Sequence, residues 1–529
     1  MSNSGIERLK AIRNRTDLKI RPSKYLKTKF FDIDGNEVDL DIRYYQIQGI
    51  LHLVCMNRFV LGDEMGLGKT LQTIAALCYI WDKAPDTKTI VITTKSAAGQ
   101  WVDEFEKFTN SVQTFLCKGT KKKREKVLEE WKDSEGPSVL VMGYATARQD
   151  ITQLLEIDPG YVLVLDEATA VKNPKARVHK CVSFMAKKAS RVWALTATLI
   201  ENNLLEGWGI YEVVYPGLLG NRTWFMEQFC ITQMQTLPGS RRKVPVIVGY
   251  RPDAPQSFRS HIDNHFLGRN KFEVAKELPA LTRKRILCDM TRVQRDKYYD
   301  AINGLLEIVR DGEHQEVKTT KLTSLIYCQQ IVDHPDLIGI EGKSGKLDEL
   351  VDLLTEGDLS EGKVIVFSRF RRMIDIIMET LERNGIKATR ITGSESEDQR
   401  SLNKKAFQDP KSDTRVVCIT TAARQGVNLQ AAKALVFYDT PWSAGDYLQI
   451  IGRMIRIGSS HQNVTAIHLV CRNSIDQRVM DVLGKKVKLV EEVLGQKIKD
   501  SDTGPSLSMD GDVNAIFELL CEDARKGQK

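Results

Sequence analysis

The sequence predicts an α/β protein: two parallel-sheet domains in tandem with a mainly helical insertion between them. Three observations predict it. Short aliphatic and β-branched runs recur along the first part of the chain with helix-like stretches between them, as buried parallel strands and their crossovers do. The alternation stops from about Trp208 to Gly345, where aromatics, Pro and basic clusters (Arg241-Arg-Lys243, Arg283-Lys-Arg285) mix with helix-like stretches. It resumes at Lys363-Val-Ile-Val-Phe-Ser368. The expected organisation is a basic N-terminal extension over 1–40, a first domain over 41–207, an insertion and linker over 208–345, a second domain over 346–499 and a tail over 500–529.

Composition sets the outer limits. At 529 residues, 42% apolar and 28% charged, the chain has the make-up of a globular protein with more than one domain. No apolar run approaches the ~18 residues needed to span a bilayer, so no membrane partner is expected. The first residues lack a signal peptide's apolar core, and a cytoplasmic location is expected, in a bacterial cell or, for a viral chain, in its host. The ten cysteines form no CxxC pair and no metal-ligand spacing, and read as buried free thiols. A net charge of +8 permits a nucleic-acid partner without demonstrating one.

Taken in order, Asp34-Gly35-Asn36 is a candidate hairpin turn. Ile42 to Gly49 reads as an amphipathic helix carrying Gln46, whose amide can both donate to and accept from an adenine edge. Arg58-Phe-Val-Leu61 is a short buried strand. It runs into Gly-Asp-Glu-Met-Gly-Leu-Gly-Lys-Thr70 and then a helix from Leu71 to Leu77. Gly66 and Gly68 let successive N–H groups turn inward around phosphate oxygens, Lys69 adds a point charge for the β- and γ-phosphates, and Thr70 offers a hydroxyl to magnesium. Asp63 stands where GxxxxGKS/T has its first glycine.

Thr89 to Thr93 is a strand, and Trp101, Phe105 and Phe108 form a helix face best read as core packing. The charge run KGTKKKREK over 118–126 reads as solvated surface. Ser138 to Tyr144 is a further strand. Tyr161 to Leu165 is a strand that delivers Asp166 and Glu167 at its carboxyl end. Downstream of a phosphate loop, such a pair reads as the other half of a nucleotide-hydrolysis site: Asp166 on magnesium through water, Glu167 polarising the attacking water. Arg191 to Leu195 leads into Thr196-Ala197-Thr198. His334, alone before Pro335, reads as a packing or capping residue. In the second domain the strands are Lys363–Ser368, Gly385–Ile391 (weaker), Arg415–Thr420 and Leu435–Asp439. Gln449 to Arg456 reads as a helix with Arg453 and Arg456 three apart on one face. Two planar cations there suit charge stabilisation on a transferring phosphoryl group.

In this order the segments resemble the Swi/Snf family of helicase superfamily two. The resemblance covers about 42–490. It rests on YQ at Tyr45-Gln46, DEMGLGKT at Asp63–Thr70, W..EF.KF at Trp101–Phe108, DEAT..KN at Asp166–Asn173 and LTAT at Leu195–Thr198. It continues with HP at His334-Pro335, GKL at Gly345–Leu347, VFSRF at Val366–Phe370, TAARQGVNL at Thr421–Leu429 and Q..GR..R.G at Gln449–Gly458.

The resemblance implies two RecA-like domains clamping ATP and magnesium, with duplex or branched DNA across both, and a DNA-dependent ATP hydrolase that translocates in replication, repair or recombination. It also places Gly426 and Gln449 among the nucleotide-contacting residues. Thr169 stands where the family usually has His, and Leu199 where Pro follows LTAT; threonine still donates a hydrogen bond, with shorter reach than imidazole. Two other readings compete: a motor that removes a DNA-bound protein such as RNA polymerase, and a non-catalytic DNA-binding scaffold.

Overall fold

The computed structural model describes residues 7, 11–12, 15–31, 37–95, 97–236, 243–270, 274, 279–303, 307–310, 313–316, 321–421, 429–455 and 461–494. The chain divides into two compact units, one built mainly from 1–229 and 251–276 and the other mainly from 230–250 and 277–489.

In the first unit, β1 (Lys29–Phe31) and β2 (Glu37–Asp39) pair antiparallel around the proposed 34–36 turn, itself outside the described residues. The sheet strands follow: β3 (Arg58–Leu61), β4 (Lys88–Thr93), β5 (Gln113–Cys117), β6 (Ser138–Gly143), β7 (Val162–Asp166) and β8 (Arg191–Leu195). All but the edge strand β5 are short, apolar and almost wholly buried, because helices cover both faces of an all-parallel sheet. A hairpin, β9 (Cys230–Thr236) with β10 (Lys243–Tyr250), belongs to the second unit. The chain then contributes β11 (Phe266–Leu267) back to the first sheet. The seven strands run in the order β11-β3-β8-β7-β4-β6-β5, all parallel. Phe59, Leu61, Ile74, Trp81, Phe105 and Trp193 form the core beneath β3.

The helices follow their sequence signals. Helix Ala98–Phe108 buries Trp101, Phe105 and Phe108, as its spacing predicts. The basic run opens helix Lys121–Asp133 with its lysines exposed, while Leu128 and Trp131 face inward.

The second unit starts earlier than its expected boundary at 346. β12 (Ala280–Cys288) already belongs to its sheet, and β13 (Glu307–Arg310) with β14 (Glu313–Glu316) forms a hairpin inside the interval expected to be mainly helical. The pattern of β12 hid it: three consecutive basic residues, Arg283-Lys284-Arg285, interrupt its apolar run, and most of the strand is exposed, as at a sheet edge. Then come β15 (Lys363–Phe367), β16 (Ala388–Ile391), β17 (Val416–Ile419), β18 (Ala432–Phe437) and β19 (Asn463–Cys471). Their order is β12-β19-β18-β15-β17-β16, again parallel. Each unit is thus a parallel sheet flanked by helices, the RecA-like arrangement. His334 is a capping residue: its Nδ1 accepts the Asp336 N–H at 3.2 Å at the start of the 3-10 turn Pro335–Ile338.

Among the described residues no helix is long and apolar enough to cross a membrane. All nine described cysteines are free, and eight are buried; Cys55 is exposed, against expectation.

Candidate active site

Parallel order places the chemistry. β3, β8 and β7 are adjacent, with Leu61 opposite Leu195 and Leu195 opposite Asp166. Their carboxyl ends therefore release the phosphate loop (62–68), Thr196–Thr198 and Asp166-Glu167 side by side on one edge, where open parallel sheets bind ligands.

The loop is shaped by its glycines. Gly66 and Gly68 have φ of 88° and 77°, in the left-handed region that a side chain resists. At Gly68 a Cβ would also stand 2.4 Å from the Gln46 amide nitrogen. Helix Lys69–Lys83 begins directly after it with no side-chain cap, its N-terminus turned to the loop. The Lys69 ammonium donates to the Asp63 carbonyl at 2.7 Å. Burial pulls its pKa below the ordinary lysine value, opposed by the charges of Glu167, Asp63, Asp166 and Glu64. The ammonium, the glycine-shaped loop and the helix N-terminus together have the electrostatics of a phosphate site.

Asp166 is positioned by two elements. Thr93 at the end of β4 donates to its Oδ2 at 2.7 Å, and the Trp101 indole N–H donates to the same oxygen at 2.8 Å. The Tyr144 hydroxyl donates to the Asp166 carbonyl at 2.9 Å; burial, then the nearby Asp166 and Glu167 charges, push that phenol well above its usual pKa and keep it a donor. Glu167 has φ 52° and ψ 56°, left-handed backbone that costs a non-glycine residue on the order of 1 kcal/mol and is held by its surroundings. Thr196 Oγ accepts the Thr198 N–H at 3.1 Å and donates to the Thr198 carbonyl at 2.8 Å, closing that turn on itself. Leu199, where proline was expected, is buried at 1% exposure and serves as an apolar contact.

Gln46 is brought to the loop, yet its amide has partners in the protein. Its Oε1 accepts the Arg43 N–H at 3.0 Å and its Nε2 donates to the Leu67 carbonyl at 3.3 Å. Bonding an adenine edge would require exchanging these.

Sequence reasoning missed three participants. Trp101 was read as core alone; it is 2% exposed, but its N–H also holds Asp166. Thr93 lay unnoticed at the end of a strand. Arg269, which binds the Asp63 carboxylate, had no local signal at all.

On the second unit, Gln449 and Arg453 lie on helix Ala444–Met454, 6% and 1% exposed. The expected helix to Arg456 is corrected: it ends at Met454, and Ile455 caps it with φ −86° and ψ 100°. Arg456 and Gly426 lie outside the described residues.

The model of the SNF2-related domain matches residues 45–337, more than half of the chain, and that of the helicase conserved C-terminal domain matches 345–458. An uncharacterized ATP-dependent helicase of Mycoplasma genitalium is 28% identical over 88% of this chain and 43% of its own length. The chromodomain-helicase-DNA-binding protein 1-like of Mus musculus is 29% identical over 90% of this chain and 53% of its own length. The chain thus spans about half the length of these curated relatives. A solved structure of the Sulfolobus solfataricus SWI2/SNF2 ATPase core in complex with dsDNA is 26% identical, covering 92% of this chain and 96% of that one, with a TM-score of 0.40.

Proposed function

Since the chain belongs to the SNF2-related family of helicase-like ATPases, we propose that it hydrolyses ATP in response to DNA and couples hydrolysis to movement on duplex or branched DNA in replication, repair or recombination. The observation that carries the reading is the edge shared by β3, β8 and β7, which supports one nucleotide site from three distant stretches of sequence. DNA as partner is supported by the relative named for DNA binding.

In this reading the backbone of Gly66 and Gly68 cradles the phosphates, with Lys69 on the β- and γ-phosphates. Gln46 reaches the adenine after releasing Leu67. Thr70 and, through water, Asp166 would hold magnesium, an ion suited to a few hard oxygen donors from the protein. Magnesium would supply charge neutralisation on the phosphates. Glu167 orients and polarises the attacking water, while Thr93 and Trp101 keep the Asp166 carboxylate in one orientation. Arg453 and Arg456 of the second unit stabilise charge on the transferring phosphoryl group, and Gly426 and Gln449 contact the nucleotide.

The test is steady-state ATP hydrolysis with no polynucleotide, single-stranded, duplex and forked DNA, and RNA. Duplex or forked DNA should stimulate most. Lys69→Ala should abolish turnover, Glu167→Gln should bind ATP but lose ~10²-fold or more in rate, and Arg453→Ala should lose ~10³-fold with binding retained. Near-normal turnover in Glu167→Gln would remove that residue from its role, and indifference to DNA would end the translocase reading.

A further inference from the structure

Asp63 occupies the position at which phosphate loops usually carry a glycine, and its carboxylate is fully buried. A buried carboxylate needs a partner. It has one in Arg269, itself 8% exposed and 206 positions away in sequence. The guanidinium is used on every nitrogen. Nε donates to Asp63 Oδ1 at 2.8 Å and Nη2 to Oδ2, the bidentate fork. Nη2 also donates to Gln72 Oε1 at 3.0 Å, and Nη1 to the Tyr45 carbonyl and to Gln48 Oε1 at 3.2 Å. Gln72 in turn donates to Asp63 Oδ2 at 3.0 Å and to the Leu67 carbonyl at 3.1 Å. Gly49 makes room: a Cβ there would lie 1.8 Å from Gln72 Oε1 and 3.1 Å from Arg269 Nη2.

Asp63 is the pivot. Its side chain is gripped by Arg269 while its main-chain carbonyl receives Lys69. Backbone joins the same segment to the loop: Gly62 N–H donates to the Leu267 carbonyl at 2.7 Å and Glu64 N–H to the Arg269 carbonyl at 3.0 Å. After Asn270 the chain proceeds to β12, the first strand of the second unit's sheet in sequence. We propose that Arg269 is a positioning residue for the phosphate loop: it sets Asp63, and through Asp63 the height of Lys69, and it ties the loop to the segment that leaves the first unit for the second.

The inference rests on the nucleotide reading above, and its test separates the two. In the full chain, binding of a fluorescent ATP analogue with magnesium is measured beside kcat and KM and a thermal melt for Arg269→Gln, Arg269→Lys and Asp63→Asn. A control breaks another low-exposure pair of the same unit, Arg124 with Asp150 at 2.6 Å, by Arg124→Gln. At a temperature where all are folded, Arg269→Gln and Asp63→Asn should lose on the order of 10²-fold in kcat/KM, the scale of a misplaced catalytic group, with a rise in nucleotide Kd. Arg269→Lys should recover part of the loss, keeping the charge without the fork. Arg124→Gln should lower the melt and leave Kd alone. Should Arg269→Gln fail to fold, Asp63→Asn, equal in shape, decides. Folded variants that bind and turn over within about threefold of the unaltered protein overturn the inference and leave the nucleotide reading standing. An unaltered protein that binds no nucleotide overturns both.

Discussion

Two buried ion clusters, one per unit, differ in a way that separates support of chemistry from support of fold. In the first, Arg269 meets one carboxylate, and its flat fork also satisfies neutral oxygens around it. In the second, Lys346, fully buried, lies 2.9 Å from Asp333 and 2.6 Å from Asp476, with its third donor on the Tyr438 carbonyl at 3.1 Å. One point charge there faces two carboxylates. Among the described residues Asp333 Oδ2 and Asp476 Oδ1 have no hydrogen-bond partner. Burial holds the Asp333 carboxyl well above the usual range; burial pulls Lys346 down, but the two aspartates outweigh it and hold it above its ordinary value. The arginine cluster adjoins a loop proposed to touch phosphate. The lysine cluster joins the ends of helix Lys321–Asp333 and β18 to the starts of helices Gly345–Thr355 and Ile475–Leu494, and serves packing.

The largest expected effect breaks the lysine cluster. Lys346→Met leaves two buried carboxylates unpaired and should cost ~3–5 kcal/mol in denaturant unfolding, with nucleotide Kd unchanged below the melt. In that variant the folded state holds a proton on Asp333 more tightly than the unfolded chain does, so the loss should shrink as the pH falls from 7 to 5. A loss that grows on acidification, or a weakened nucleotide Kd, would dissolve the contrast between the clusters.

A second test uses His468, stacked on Phe437 with ring centroids 4.6 Å apart and 3.3 Å from the Tyr447 hydroxyl. Burial, then Arg283 and Arg285, push its pKa down to about 3. A depressed base contributes stability that is complete above the unfolded value and is lost as the pH falls from about 6.5 through about 3. Between pH 6.5 and 5 this amounts to ~2 kcal/mol. His468→Gln should flatten that acid limb by as much, measured by chemical denaturation across the range; an unchanged slope would assign the acid sensitivity elsewhere.

The smallest expected effect on stability falls on the first unit's acid. Trp101→Phe keeps an aromatic ring in the core and removes the indole donor to Asp166. It should cost about 1 kcal/mol in unfolding but lower ATP turnover more than that loss predicts. Turnover equal to the unaltered protein's would return Trp101 to a packing role alone.

The sequence by itself determined the local parts. An apolar run followed by glycines, lysine and threonine states β3, its loop and its helix within a few positions, because strand burial, left-handed turns and helix starts depend on near neighbours. For the same reason Asp166 and Glu167 were legible at the end of β7, and five strands of the first sheet and two of the second were placed within a residue or two, whereas β5, β11, β12 and β19 were not read as strands. The ends of elements were less so: the helix carrying Arg453 stops two residues before Arg456, where the apolar pattern gives no sign. Partners were not legible. Trp101 reads as core from its spacing, and only the adjacency of β4 and β7 brings its N–H to Asp166. Lys346 stands in the short string GKL, and its two aspartates come from other helices. Arg269 reaches Asp63 because β11 returns to the outer side of β3 after some 200 residues. Sheet order is fixed by long-range packing and hydrogen bonding, which leave no period in the sequence, so the choice of which buried charge meets which belongs to the tertiary structure.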